Sequence, residues 1–201
     1  MTTLDLLPAL LGFAFVMSIT PGPNNLMLLA SGANFGVRRS VPHLLGVALG
    51  HSGMIVLLGL GLATVFEAWP PAKTILAVLS VLYMLWLAWQ FGTAAPKALD
   101  APETGGRPLT FLQAAAFQWV NPKGWAMALT ALAAYTADES VGAVLLVAAV
   151  FAATNLPCIS LWTVLGQEMR RFLTSPARLR AFNVTMAVLL VATLWPILRA
   201  L

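Results

Sequence analysis

Long apolar stretches separated by short polar segments fill almost the whole chain. An α-helix rises 1.5 Å per residue, so roughly 20 apolar residues cross the hydrocarbon core of a bilayer. Six stretches reach or approach that length, which predicts an all-α integral membrane protein with six transmembrane helices. The expected spans, numbered one to six in chain order, cover residues 6–31, 41–66, 74–91, 109–134, 141–165 and 181–198.

Spans 1 and 4 each contain proline near their midpoint. The interruptions are Thr20-Pro21-Gly22-Pro23-Asn24 in span 1 and Asn121-Pro122-Lys123 in span 4. Proline removes an amide N–H and frees the carbonyl four residues earlier, and each freed group in lipid costs several kcal/mol unless it finds a partner. We therefore predict that both spans are broken into half-helices at about half the depth of the bilayer.

The breaks occupy corresponding positions in the two halves of the chain. A polar stretch rich in proline and glycine, residues 94–108, separates three spans in residues 1–93 from three in residues 109–201. An odd number of spans gives the two halves opposite orientations. Together with the matched breaks, this predicts one transporter domain over residues 1–201, built as a 3+3 inverted repeat. The side-chain similarity between the halves is weak, so the prediction depends on topology and break position.

Composition and charge agree with a multi-pass membrane protein. The chain is 60% hydrophobic and only 9% charged, whereas soluble domains carry roughly 25% charged residues. Connections one, three and five hold Arg38, Arg39, Lys97, Arg107, Arg170, Arg171, Arg178 and Arg180. The other connections and the termini hold only Lys73 and Arg199. The positive-inside rule then predicts that both termini face away from the cytoplasm, and it explains the basic charge without a nucleic-acid partner.

The titratable residues exclude several classes of function. No Asp or Glu lies in the middle of a span, which disfavours a metal site within the membrane. We therefore expect neither a metal nor a cofactor. Cys158 is the single cysteine, so a membrane carrier that exchanges disulfides is disfavoured. The spans hold no combination of side chains typical of a catalytic site, so an enzyme is not expected. Lys123 and His51 are the centrally placed groups that could couple transport to protons. His43 is expected at the membrane interface.

Half-helices that meet in lipid offer sites for both charges of a zwitterion. The free N–H groups that begin a half-helix attract a carboxylate, and the bare carbonyls that end one attract an ammonium group. A free amino acid carries both. The residues expected to bind it are Thr20, Pro21, Gly22, Pro23, Asn24, Asn25, Gly46, Gly50, His51, Asn121, Pro122, Lys123 and Asn155.

Structural roles compete with these assignments. Lys123 is also suited to capping freed carbonyls of span 1, such as those of Met17 or Ile19. The small residues around His51 favour close helix packing, and the structural alternative for the histidine is a bond to a backbone carbonyl. For Asn155 the structural alternative is a satisfied polar residue at a kink.

The chain resembles the LysE/RhtB family of bacterial amino-acid exporters. The resemblance covers the whole length and rests on the residue 20–24 motif, on Gly46 and Gly50 in a glycine-rich span 2, and on Asn121-Pro122-Lys123. It implies export of an amino acid across the bacterial inner membrane, driven by proton antiport. The lack of an acidic residue within the spans favours a neutral substrate over lysine or arginine. An exporter of another small solute or cation is the alternative, and a homodimer within the lipid is compatible with so small a transporter.

Overall fold

The structure is a computed structural model that describes residues 5–62, 64, 68–69, 71–93, 106–136 and 140–195, with residue 73 described only in its backbone. The regular elements in these ranges are all helical, as predicted. They are α1 (Leu7–Ile19), α2 (Pro23–Phe35), α3 (Val37–Leu57), α4 (Pro71–Thr93), α5 (Phe111–Phe117), α6 (Pro122–Tyr135), α7 (Val141–Met169) and α8 (Pro176–Ala192). A π turn at Leu58–Leu62 extends α3, and 3₁₀ turns at Gln118–Val120 and Arg170–Phe172 follow α5 and α7.

Helices stop at both proline motifs. α1 ends at Ile19, and α2 begins at Pro23 after an extended Gly22. On the other side, the 3₁₀ turn after α5 gives way to an extended Asn121, and Pro122 is the first residue of α6. Proline suits a first helical position because its fixed φ fits a helix and its missing N–H would have no partner there.

Three helical stretches are long and apolar enough to cross a membrane unaided, among the residues that the structure describes. They are Val37–Leu62, Thr74–Thr93 and Val141–Phe172. The other predicted spans correspond to the pairs α1–α2 and α5–α6 and to α8. The predicted end of span 6, residue 198, lies outside the described residues, as do the charged positions 97, 138, 139 and 199.

Several helices extend past the apolar stretches that predicted them. α2 continues to Phe35, and α3 begins at Val37, so the basic pair Arg38 and Arg39 is helical. Gly36 separates the two helices with φ 78°, a conformation that favours glycine. Hydropathy locates the part of a helix that lies in hydrocarbon, whereas the helix itself continues into the polar interface.

Glycines bring the central helices into close contact. Gly32 of α2 lies against the backbone of Thr163 in α7, and Gly166 of α7 lies against the backbone of Leu29. α3 uses its glycines in the same way against α5, and α4 pairs with α8. Small residues allow such approach in membrane proteins, where close packing rather than water exclusion holds helices together.

The outward faces of the helices are apolar. Phe15, Leu82 and Val188 are each more than half exposed, and many other large aliphatic side chains share this exposure. Large apolar side chains exposed in this number are unfavourable in water, whereas hydrocarbon accommodates them without cost. The exposed faces therefore support a membrane setting.

Candidate functional site

Lys123 of α6 bridges the two breaks. Its Nζ donates to the carbonyl of Thr20 at 2.7 Å, to Oγ1 of Thr20 at 2.9 Å and to the carbonyl of Pro21 at 3.3 Å. An ammonium group has three donor hydrogens, so these contacts use all of them. The lysine stem passes over Gly22, where a Cβ would lie 2.7 Å from Lys123 Cδ. The two breaks therefore face each other, and a glycine makes room for the connecting side chain.

The carbonyls at the end of α1 are not bare. Each of the last three has a side-chain donor: Thr20 Oγ1 to Met17 O at 3.2 Å, Asn25 Nδ2 to Ser18 O at 2.9 Å and Trp162 Nε1 to Ile19 O at 3.0 Å. The sequence-based expectation of exposed carbonyls is thus not met in this conformation. Lys123 adopts the capping role considered for it, but on Thr20 and Pro21 rather than on Met17 and Ile19.

A second bridge connects α2 with the turn before α6. Asn24 Nδ2 donates to Gln118 Oε1 at 2.9 Å, and Gln118 Nε2 donates back to Asn24 Oδ1 at 3.2 Å. Gln118 is fully buried and also donates to the carbonyl of Ala114 at 2.8 Å. Each broken span is thus held by a side chain of the other. Gln118 and Trp162 are absent from the predicted site, and their only sequence signal is a polar or amphipathic side chain deep in an apolar span.

A narrow pocket lies between the breaks. It holds about 300 Å³ of empty space, part of it open to the exterior, but the room between its walls is little larger than a water molecule. The predicted binding residues that line it are Gly22, Pro23, Asn24, Asn25, His51, Asn121, Lys123 and Asn155. Ser18, Gly124 and two methionines, Met17 and Met127, complete the lining.

The remaining predicted residues lie beside the pocket or away from it. Thr20 and Pro21 accept the bonds of Lys123, and Pro122 begins α6. Gly46 and Gly50 pack on α5, where a Cβ on Gly50 would lie 2.6 Å from the Cα of Ala115. For these two glycines the structure shows the packing role.

Two half-helices begin at the pocket. α2 and α6 each have proline at the first position, and neither has a side-chain cap. Their first internal bonds run from Leu26 N to Gly22 O at 3.0 Å and from Trp125 N to Asn121 O at 3.1 Å, so the preceding amides have no acceptor within the helix. Lys123 is the only charged side chain in the lining. The pocket is therefore electropositive and suited to an anionic group.

Three residues of the pocket lining, Ser18, His51 and Asn121, carry buried polar atoms without partners. His51 bonds the carbonyl of Gly124 through Nε2 at 3.2 Å. Because a carbonyl only accepts, Nε2 carries the proton, and Nδ1 is left as an acceptor with no partner. Asn121 Oδ1 and Ser18 Oγ are likewise buried without partners. Such groups are costly to bury, and a polar group bound in the pocket would reduce that cost.

His43 is buried among the helices. It is 2% exposed and both ring nitrogens lack partners, while its depth at the membrane interface stays a prediction. It does not line the pocket. Within the described ranges, no three His, Cys, Asp or Glu side chains are grouped as a metal ion would require.

Comparison with known proteins identifies relatives over nearly the whole chain. The family model for the LysE type translocator matches residues 15–193. The cysteine/O-acetylserine efflux protein of Escherichia coli O1:K1 is 30% identical over 196 residues, covering 94% of this chain and 95% of its own. The proteins of the same name from E. coli K12 and Shigella sonnei Ss046 are also 30% identical, over 198 residues, again covering 94% of this chain and 95% of their own. No solved structure matches the chain. The chain belongs to the LysE family of translocators, and it is a transmembrane transporter.

Proposed function

We propose that this protein exports small neutral amino acids from the cytoplasm across the bacterial inner membrane. The observation that carries the proposal is the electropositive pocket between two facing helix breaks. Helix N-termini there suit a carboxylate, and unpaired acceptors suit an amine. The curated relatives are named for efflux of cysteine and O-acetylserine, so small polar amino acids are the first substrates to test.

The proposed architecture is six spans in an inverted repeat. Spans 1 and 4 are the pairs α1–α2 and α5–α6, and the repeats are residues 1–93 and 109–201. The packing supports this, because span 1 packs on α7 of the other half, α5 packs on α3, and α4 pairs with α8. A two-fold relation between halves produces this exchange of partners. The substrate then sits near the bilayer midplane, with both termini on the periplasmic side.

Proton antiport completes the proposal. His51 and Lys123 are the titratable side chains in the pocket lining, so they are the candidates for coupling. Lys123 forms bonds to both residues before Gly22, and any movement of the two breaks apart must release them. A cation exporter is disfavoured, because the one charge that lines the pocket is positive.

Counterflow in proteoliposomes tests the proposal. Vesicles loaded with unlabelled L-cysteine, L-serine or O-acetyl-L-serine should accumulate the labelled compound, and an outward amino-acid gradient should move protons inward. Lys123→Ala should reduce exchange at least tenfold, while Arg178→Ala, a change at an exposed residue, serves as the matched loss of a positive charge. Failure of the wild-type protein to exchange any amino acid would overturn the proposal.

A further inference from the structure

We propose that His51 and Asn121 receive the ammonium group of the substrate. The inference depends on the proposed function and assigns one half of its binding site. It replaces the simpler expectation that helix carbonyls bind the amine.

The carbonyls of the first break are already engaged. Lys123 bonds those of Thr20 and Pro21, and other side chains bond the three before them. A substrate amine that competed for these oxygens would have to displace an ammonium group tethered to the protein. Acceptors without partners are a better destination, because an amine that binds them removes an existing cost.

His51 supplies one such acceptor. The ring is 2% exposed, and its Nε2 is held by the carbonyl of Gly124. That bond fixes the neutral tautomer and leaves the Nδ1 lone pair buried and unpaired. Phe151 packs against the ring at a centroid distance of 5.3 Å, which further fixes its orientation.

Asn121 supplies the second acceptor. It occupies the residue before α6, where asparagine usually caps the helix with its side chain, but no such bond is present. Its Oδ1 is instead buried and unpaired. A Cβ on Gly124 would lie 3.5 Å from the Asn121 amide and 3.5 Å from the His51 ring, so both residues border the same small residue of the pocket lining.

The same arrangement gives a physical basis for antiport. A proton bound to Nδ1 removes the lone pair that the substrate ammonium needs, so the two exclude each other. α1, α2 and α5 contribute no charged or titratable side chain. α6 and α7 contribute Lys123, Tyr135, Cys158 and Glu168, and of these only Lys123 lines the pocket.

Two substitutions at His51 separate ligand binding from a structural role. His51→Gln places its terminal amide near the position of Nε2, which keeps a partner for Gly124 but removes the acceptor at Nδ1. His51→Asn places an amide oxygen near Nδ1 and removes the bond to Gly124. We expect the glutamine variant to raise the KM for L-serine exchange by roughly 10- to 100-fold, and the asparagine variant to raise it far less. The glutamine variant should nevertheless be the more thermally stable of the two, because it keeps the bond to Gly124.

The substrate provides an independent test that needs no variant. In the wild-type protein, N-acetyl-L-serine, which has no ammonium group, should inhibit exchange at least tenfold more weakly than L-serine. The glutamine variant should lose most of that discrimination. His43→Gln is the matched control, because His43 lies on the same helix, is equally buried and does not line the pocket.

The outcomes are distinct. If wild-type protein exchanges amino acids but both His51 variants match the His43→Gln control, the assigned atoms bind only water, and this inference fails while the proposed function stands. The same conclusion follows if the asparagine variant is the more impaired of the two in KM. If no amino acid is exchanged by the wild type, both proposals fail.

Discussion

Gly22 and Lys123 are in contact across the two breaks, since a Cβ on Gly22 would lie 2.7 Å from Cδ of the lysine and 3.2 Å from its Nζ. The contact is with a flexible side chain rather than with backbone. A methyl group at this position therefore moves the lysine without disturbing the helices. A substitution at Gly22 therefore offers a way to release Lys123 from Thr20 and Pro21 while the protein keeps the positive charge of the lysine.

Gly22→Ala should displace Lys123 from Thr20 and Pro21 and reduce amino-acid exchange at least tenfold. The φ of Gly22 is −172°, extended backbone that alanine adopts freely, so the thermal unfolding temperature should change little. Gly12→Ala is the control, because a Cβ there has no atom within 4 Å. Unchanged exchange in the Gly22 variant would show that the bridge has no role in transport.

The Asn24–Gln118 bridge should contribute to stability as a coupled pair. Asn24→Ala leaves the buried amide of Gln118, and Gln118→Ala the partly buried amide of Asn24, without the other as partner. The double variant should therefore be less unstable than the sum of the two changes. Interhelical hydrogen bonds in membrane proteins average about 0.6 kcal/mol and reach about 1.7 kcal/mol. A coupling of that size should emerge from a double-mutant cycle on reversible unfolding in mixed micelles. Strict additivity would contradict the bridge.

The glycine contacts between α2 and α7 should tolerate no side chain. Gly32→Ala and Gly166→Ala each place a methyl group against backbone atoms of the other helix, which cannot move aside. Overpacking of this kind costs about 1–3 kcal/mol or more, and we expect lowered unfolding temperature and poor recovery of folded protein. Gly53→Ala, where a Cβ meets nothing within 4 Å, should behave like the wild type. Normal stability in the Gly32 and Gly166 variants would contradict the described contact.

Local chemistry explains why the sequence predicts some of the site. Pro21, Pro23 and Pro122 restrict their own backbone, so the ends of the half-helices follow from residues near them in the chain. The cost of a central lysine in lipid likewise indicates that Lys123 has a partner. The sequence also predicts Asn24, Asn25, His51 and Asn155 at one site, and all four line the pocket.

The partners within the site depend on contacts between distant parts of the chain. Gln118 meets Asn24, and Trp162 meets Ile19, only once the helices pack, and no local pattern encodes either contact. The burial of His43 among the helices likewise depends on packing that no local pattern shows. The expectation of exposed carbonyls at the end of α1 is wrong for the same reason, because the donors to Ser18 and Ile19 come from α2 and α7.

The bonds of Lys123 have a consequence for the resting carrier. Clustered main-chain oxygens inside a bilayer resemble the cages that bind sodium and potassium ions. With the Lys123 ammonium group bonded to them, the oxygens of Thr20 and Pro21 offer no vacancy to such ions. An idle exporter of this design would leak little inorganic cation and would preserve the membrane potential of the cell that makes it.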